Sequence, residues 1–326
     1  MYKIVIAGCG SISNTWLTAL AERDDCVIAG LADIVEAHAL EKKEKFGLSA
    51  NVYTSLGAAI GAEKPDIVLD LTPPDVHHEI VTAALRAGCH VFGEKPMSDS
   101  LEKAEDMVKC AESSGREYFV MQNYRYNPHI QALRDFIASG RPGKVGHISA
   151  NFQRGPHFGG FREEMDSPLI ADMAIHTFDA ARFITGSSPE AVYCHEYNPV
   201  WSWYRGDASA MCIFEIESGL KFDYRGSWCV KGLLTHWNSE WRVACENGSI
   251  IWDGADRFVY QTEEGEVEEI PAKQMDAHTH AACIDEMLSA LKAGKRAPTD
   301  CRDNINSVRM VYKAIESSAK KERILI

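Results

Sequence analysis

The sequence predicts an α/β chain in which a doubly wound, parallel-stranded domain precedes an α+β domain. Three observations support this. Short, nearly continuous apolar runs alternate with helical patterns through the first third, two-sided strands parted by turn signals dominate the remainder, and a glycine-rich turn follows the first strand. Near-continuous apolar strands in strict alternation with helices indicate a parallel sheet covered on both faces.

In order, the first-domain strands are expected at Lys3–Ala7, Cys26–Ala32, Asp66–Leu71, Cys89–Phe92 and Tyr118–Met121. Helical patterns fall at Ser13–Ala21, Val35–Phe46, Val76–Arg86 and Leu101–Ser113, and short pieces at Asn51–Tyr53 and Ser55–Ala62 complete a further βα unit. After about Gln122 the pattern changes. Strands are expected at Val145–Gln153, Ala191–Tyr197, Ala208–Glu217, Lys221–Ser227, Trp241–Cys245 and Phe258–Gln261. Turn sequences at Glu217-Ser218-Gly219 and Glu246-Asn247-Gly248 read as antiparallel hairpins. Helices at Leu169–Thr185, Ala277–Ala293 and Asn304–Lys320 finish the second domain. The domains are therefore read as residues 1–122 and 123–326, with no repeat, low-complexity tract or long linker.

Composition narrows the function classes. The 326 residues suffice for two domains with substantial cores. Lys plus Arg total 34 against 47 Asp plus Glu, giving a net charge of −13. That balance repels phosphate backbones and anionic lipid, so neither nucleic acid nor a membrane is expected as partner. Ten scattered cysteines form no Cys-x-x-Cys pair and read as reduced core thiols, with no metal site expected. The chain opens on a strand, without a basic-then-apolar leader or a membrane-length apolar run, so a cytoplasmic protein is expected.

The strand Ile4–Ala7 runs into Gly8-Cys9-Gly10-Ser11-Ile12-Ser13 and then a helix. A first glycine permits the tight turn, and a second lets a pyrophosphate approach the backbone. The helix start then offers N–H groups and partial positive charge. Ser13 stands where a third glycine is usual; its small side chain still allows close helix–strand packing. Asp33 follows the second strand, where a carboxylate can accept from ribose hydroxyls and repel a 2′-phosphate. Ile34 and Val35 supply no neutralising arginine, so NAD is favoured over NADP. The structural alternatives are an ordinary turn and a solvated aspartate.

Further motifs sharpen this. Gly-Cys-Gly-Ser-Ile-Ser, Thr72-Pro73-Pro74-Asp75-Val76-His77 and Glu94-Lys95-Pro96 are followed by Asn123-Tyr124-Arg125-Tyr126-Asn127-Pro128 and Asp172-Met173-Ala174-Ile175-His176-Thr177-Phe178-Asp179. Together they resemble the glucose–fructose oxidoreductase / inositol dehydrogenase / MocA-type (Gfo/Idh/MocA) family over essentially the whole chain. The resemblance implies a Rossmann domain followed by a domain with a large, mostly antiparallel, open-faced sheet. It implies that Lys95, Asp172 and His176 meet beside the nicotinamide. It also implies cofactor contacts at Gly8, Gly10, Ser11, Ile12, Asp33, Thr72, Pro73, His77, Glu94, Lys95 and Asn123, and homodimers or homotetramers formed through the sheet. No N-terminal arm of the kind that locks cofactor into some relatives is expected, so NAD is expected to exchange between turnovers.

Moving a hydride from an alcohol carbon needs a base for the hydroxyl proton and a group that stabilises the alkoxide. Asp172 and His176 lie four apart on an expected helix, so they share a face. His176 is the candidate base, with Asp172 orienting it. Lys95 follows a strand at the carboxyl edge where ligands gather, and either it or His176 takes the proton. Glu94 either braces its turn or contacts the nicotinamide ribose. Asp179 is either a substrate-hydroxyl acceptor or an ion partner, and Arg125 either touches substrate or ties structure together. Asn123, at the domain crossing, is expected to touch cofactor or substrate. The segment Phe152–Arg162 carries Arg154, His157 and Arg162 among glycines and aromatics. With Trp201, Trp203 and Trp237 it offers the stacking faces and polar rims that sugars require, or else these aromatics fill a sheet face.

The expected activity is an NAD-dependent dehydrogenase acting on a secondary hydroxyl of a sugar, inositol or related polyol. A redox-neutral enzyme that uses bound NAD transiently, as in glycosidic cleavage by oxidation and elimination, is one alternative. A non-catalytic NAD-binding sensor is the other.

Overall fold

The computed structural model describes residues 1–21 and 23–326. The chain forms two compact units, each made of two segments. The first comprises Met1–Asn123 with Ala277–Ile305, and the second Tyr124–Asp276 with Asn306–Ile326.

In the first unit the elements run β1 (Tyr2–Ala7), α1 (Ser13–Leu20), β2 (Cys26–Ala32), α2 (Glu36–Lys45), β3 (Asn51–Tyr53), α3 (Leu56–Glu63), β4 (Ile67–Asp70), α4 (His77–Arg86), β5 (His90–Gly93), α5 (Leu101–Ser114) and β6 (Tyr118–Val120). The strands pair in parallel in the order β3-β2-β1-β4-β5-β6. Ile4, Val5, Ile6, Ile67, Val68 and Leu69 are all buried, as strands covered on both faces require. The order reverses between β1 and β4, which opens a crevice at the carboxyl ends of these strands. Local signals set the helix limits. Ser55 and Ser100 cap α3 and α5 by accepting from Ala58 and Lys103 backbone N–H groups, and Gly115 ends α5 in the left-handed region.

The second unit holds α6 (Pro128–Ala138), β7 (Val145–Gln153), α7 (Phe161–Glu164), a π-turn (Leu169–Ala174), α8 (Ile175–Thr185), β8 (Pro189–Tyr197), β9 (Ser209–Ile216), β10 (Lys221–Ser227), β11 (Glu240–Cys245), β12 (Gly248–Trp252), β13 (Phe258–Thr262) and β14 (Val267–Glu269). Helix α9 (Thr279–Lys292) returns to the first unit. Helix α10 (Cys301–Lys320) begins there and ends in the second, where β15 (Ile324–Leu325) closes the chain. The nine-stranded sheet has the order β14-β13-β12-β11-β7-β10-β9-β8-β15, and β7–β10 is its one parallel pair among the described residues. One face is closed by the Phe178 ring of α8 packed against Phe214, Phe222 and Tyr224. On the other, Tyr193, Tyr197, Met211 and Ile213 are exposed, so the sheet is open-faced as expected.

Three expectations are corrected here. The boundary near residue 122 is only the first crossing, because residues 277–305 belong with the nucleotide-type unit. Helix α9 packs on α1, Arg23 bonds Asp285, Val120 N–H donates to Thr299 O at 2.9 Å, and Phe119 bridges to Asp300. The expected helix Leu169–Thr185 starts as a π-turn. Its Leu-Ile-Ala-Asp-Met-Ala-Ile run is apolar nearly all round, so no period in the sequence distinguishes the two windings. Helix α6 and strands β12, β14 and β15 were not expected. For α6 a signal existed: Asn127 caps it by accepting from His129 and Ile130 N–H groups, and Pro128 occupies its first turn.

Candidate active site

In the first unit, the crevice is built largely by backbone. Gly8 has a φ of +90°, and a methyl group on it would lie 2.7 Å from the carbonyl carbon and oxygen of Leu71. The β1–α1 turn therefore presses directly on the chain leaving β4, and only glycine fits. Gly10 differs: nothing lies within 4 Å of where its methyl would be. Ser13 is fully buried and its Oγ donates to Gly10 O at 2.6 Å, so this residue stitches the turn to the helix where a third glycine is usual. Gly10 and Ser11 are exposed and Ile12 half-buried at the start of α1, where the first N–H groups lack intrahelical acceptors. Asp33 accepts from Cys9 N–H through Oδ2 and from Val35 N–H through Oδ1, both at 2.8 Å, and His38 Nδ1 lies 3.4 Å from Oδ1. Each oxygen retains a second lone pair.

Two loops on the β4–β5 side are tied together from beneath. Asp70, fully buried, accepts from Thr72 N–H at 3.2 Å and Thr72 Oγ1 at 2.6 Å. Burial pushes its carboxyl above the usual range, opposed by the neighbouring His77 and by the Thr72 bonds. His77 is 1% exposed, with Nε2 2.6 Å from Thr72 O and Nδ1 2.9 Å from Pro96 O. The His77 ring staples loops 72–77 and 94–96, since both of its nitrogens face carbonyls. Thr72 is half-buried and Pro73 exposed.

Glu94 follows β5, and its Oε1 accepts from the Trp16 indole at 2.6 Å while Oε2 accepts from Lys95 N–H at 3.2 Å. Of its two expected roles, the bracing one is visible. His280 Nε2 lies 3.9 Å from Glu94 Oε1, and His280 Nδ1 lies 3.5 Å from Asn123 Nδ2. Burial, aided by Lys95 and opposed by Glu94, pushes the His280 imidazole below its ordinary value. Lys95 is half-buried and Pro96 buried behind it. The structure therefore gathers Glu94, Lys95 and Asn123, with Trp16 and His280 added to the set.

In the second unit the chemistry-bearing side chains hold one another. Asp172 in the π-turn, 5% exposed, accepts from Arg162 Nε at 2.6 Å. His176, at the start of α8 and 7% exposed, stacks on the Tyr124 ring with centroids 4.3 Å apart and planes at 19°. The Tyr124 hydroxyl donates to Trp237 O at 3.1 Å, and burial raises its phenol well above the usual value. Arg154 donates to Thr235 O at 2.8 Å and lies 4.7 Å from the Trp237 ring centre, while His157 stacks on Trp203 at 3.8 Å. Arg162 also covers the Phe158 and Phe161 rings.

Arg125 and Asp179, each with a substrate-contacting and a structural alternative, form an internal ion pair. Both Asp179 oxygens accept from the guanidinium, at 2.6 and 2.7 Å, and Asp179 Oδ1 also accepts from Ser307. Arg182 in turn donates to Ser307 Oγ at 2.8 Å. Asp179 is 0% exposed and both its oxygens accept from buried side chains, so the ion-partner role is the one the geometry gives it. Three partners were beyond the reach of the sequence reading: Trp16, His280 and Tyr124. Trp16 offered only an apolar helix position, His280 one of the two histidines flanking Thr279, and Tyr124 a place inside a motif.

Residues 2–122 match the model of an oxidoreductase family with an NAD-binding Rossmann fold, and residues 130–251 match the Gfo/Idh/MocA C-terminal domain. The chain belongs to the Gfo/Idh/MocA oxidoreductase family. Within it, the chain is 29% identical over 193 residues to a myo-inositol 2-dehydrogenase of Thermotoga maritima, covering 59% of this chain and 57% of the relative. It is 29% identical over 206 residues to a D-glucoside 3-dehydrogenase of Escherichia coli, covering 61% and 58%. The matched region thus spans less than two thirds of either relative's length. In fold it is similar to an Agrobacterium radiobacter oxidoreductase solved with NAD+, L-tartaric acid and magnesium, at a TM-score of 0.91 and 21% identity over 99% of this chain and 98% of the other.

The family's dinucleotide fits the first unit on structural grounds. Gly8 brings the turn against Leu71, Gly10 leaves open space beside the start of α1, and Asp33 is held at the end of β2 with lone pairs to spare. Among the described residues no group of three or more His, Cys, Asp or Glu side chains is placed to hold a metal ion, and no helix is long and apolar enough to cross a membrane.

Proposed function

We propose that this Gfo/Idh/MocA protein is an NAD-dependent dehydrogenase acting on a secondary hydroxyl of a sugar, inositol or related polyol. The observation that carries the reading is the placement of Lys95: a half-buried cation at the carboxyl edge of β5, one residue past a carboxylate fixed by Trp16. Ligands gather at this edge in doubly wound sheets.

NAD, when bound, supplies the hydride acceptor; Gly8, Gly10, Ser11 and Ile12 would hold its pyrophosphate and Asp33 its adenosine ribose. The Asp33 carboxylate, with exposed Ile34 beyond it and no arginine alongside, favours NAD over NADP. His176 takes the substrate hydroxyl proton. The Lys95 ammonium is the group that stabilises the alkoxide, the role the family resemblance implies for it. Tyr124, stacked on His176, fixes the plane of the imidazole, and Asp172 supplies the nearby negative charge with Arg162 steadying it.

The test is a screen of sugars, sugar acids and inositols with NAD and with NADP, following reduced-nicotinamide absorbance. High activity on a few compounds with NAD is expected. On the best of them, Lys95→Met and His176→Ala each lower kcat by about 10²–10⁴ while the dissociation constant for NAD stays within severalfold. Normal turnover in either variant removes that residue's role, and lasting silence across the panel removes the dehydrogenase reading.

A further inference from the structure

The second unit neutralises its arginines unevenly. Arg125 is matched by Asp179, Arg162 by Asp172 and Arg205 by Asp166, each with a nitrogen–oxygen distance of 2.6 Å. Arg154 is different. Its acceptor is a neutral carbonyl, Thr235 O, its Nε is buried without an acceptor, and none of the ion pairs among the described residues involves it. This occurs in a chain whose 47 acidic residues outnumber 34 basic ones.

The side chain is also held in place. Arg154 N–H donates to Ser227 O and Arg154 O accepts from Val230 N–H, both at 3.0 Å. At the next residue, Gly155, a methyl would lie 2.2 Å from Val230 O, so the two segments are pressed together. The guanidinium lies over Trp237, whose carbonyl receives the Tyr124 hydroxyl, and Tyr124 stacks on His176. A fixed, half-buried guanidinium whose charge no carboxylate matches keeps the capacity to receive an anion. A guanidinium presents paired donors that match two oxygens of one acid group.

We propose that the substrate is an acidic polyol whose carboxylate or phosphate oxygens are received by Arg154. The proposal deepens the dehydrogenase reading and rests on it for the role of His176. The structural alternative is that Arg154 only covers Trp237 and satisfies Thr235.

The experiment compares matched probes, D-gluconate and D-glucuronate against D-glucose, with glucose 6-phosphate as the phosphate arm, in wild type, Arg154→Gln and Arg154→Lys. Two readouts are taken with NAD present: steady-state rates, and the shift in melting temperature at saturating probe. Circular dichroism first establishes that the variants are folded. An acid is expected to have a KM at least tenfold below that of its neutral match, rising with ionic strength. Arg154→Gln is expected to raise the acid's KM at least tenfold more than the neutral sugar's, and Arg154→Lys to recover part of that loss. Preference for gluconate or glucose 6-phosphate assigns the acid group. Equal loss on acid and neutral probes, or a neutral best substrate, overturns the proposal. The melting shift separates the two readings, because it is measured in His176→Ala as well. Acid-dependent stabilisation that Arg154→Gln abolishes supports the anion site even if no probe is turned over. Absence of any acid-dependent shift overturns it even if a neutral sugar is oxidised.

Discussion

The crevice of the first unit and the helix-bearing site of the second are held by different kinds of bond. At the crevice the partners of the key side chains are mostly main-chain groups: Asp33 with Cys9 and Val35, His77 beside the carbonyls of Thr72 and Pro96, Ser13 with Gly10. In the second unit side chain meets side chain, as in Arg125–Asp179–Ser307–Arg182 and Arg162–Asp172. A site made from main chain tolerates changes that keep the local path and fails when the path is altered. A site made from interlocked side chains fails when any one member is removed, because its partners are left buried and unmatched.

The sharpest way to break this contrast is Asp179→Ala, which removes the buried carboxylate that accepts from the Arg125 guanidinium and from Ser307. A loss of about 3–5 kcal/mol in unfolding free energy is expected by denaturant titration. A loss below 1 kcal/mol would show that the network relaxes around the gap and that the contrast is false.

Next comes the paired comparison of Gly8→Ala and Gly10→Ala. The first forces a methyl onto Leu71 from a positive-φ position and should cost at least about 1–2 kcal/mol of stability as well as NAD binding. The second places its methyl in open space, so stability should stay within about 0.5 kcal/mol while the NAD dissociation constant rises about tenfold or more. Calorimetric melting and NAD titration read both, and equal destabilisation would contradict the different surroundings of the two glycines.

The smallest effect concerns Glu196, a buried carboxyl on β8. Burial, opposed by a Ser167 hydrogen bond and aided by Asp207, raises it from 4.5 to about 7. Because the folded value lies above the unfolded one, the neutral form is the one the fold favours. Its contribution is complete below pH 4.5 and is lost as pH rises through about 7. Glu196→Gln should therefore flatten the fall in stability between pH 5 and pH 8, by roughly 1–3 kcal/mol at the upper end. An unchanged pH profile would count against this assignment.

Legibility followed the same division. Gly8, Gly10 and Asp33 stood out because a main-chain turn against a strand imposes residue types at fixed spacing. The alternation of strand and helix was legible for a related reason: a sheet buried on both faces needs continuous apolar runs. His77 is visible as part of a motif, but nothing local shows that its ring reaches Pro96. Arg125 and Asp179 lie far apart in the chain, and their pairing depends on how α8 packs. Tyr124 on His176 and His280 beside Glu94 likewise arise only when distant segments meet. The π-turn escaped notice because its apolar surroundings leave no period to read.

The return of residues 277–305 to the nucleotide-type unit has a practical outcome for anyone dividing this chain. The polypeptide passes between its two halves three times, after Asn123, Asp276 and Ile305. A fragment cut at residue 122 would lose the strand-like partner of β6 at Phe119 and the helix that packs on α1. Moving the nucleotide-type unit of this chain therefore requires two pieces, residues 1–123 and 277–305, rather than a single splice.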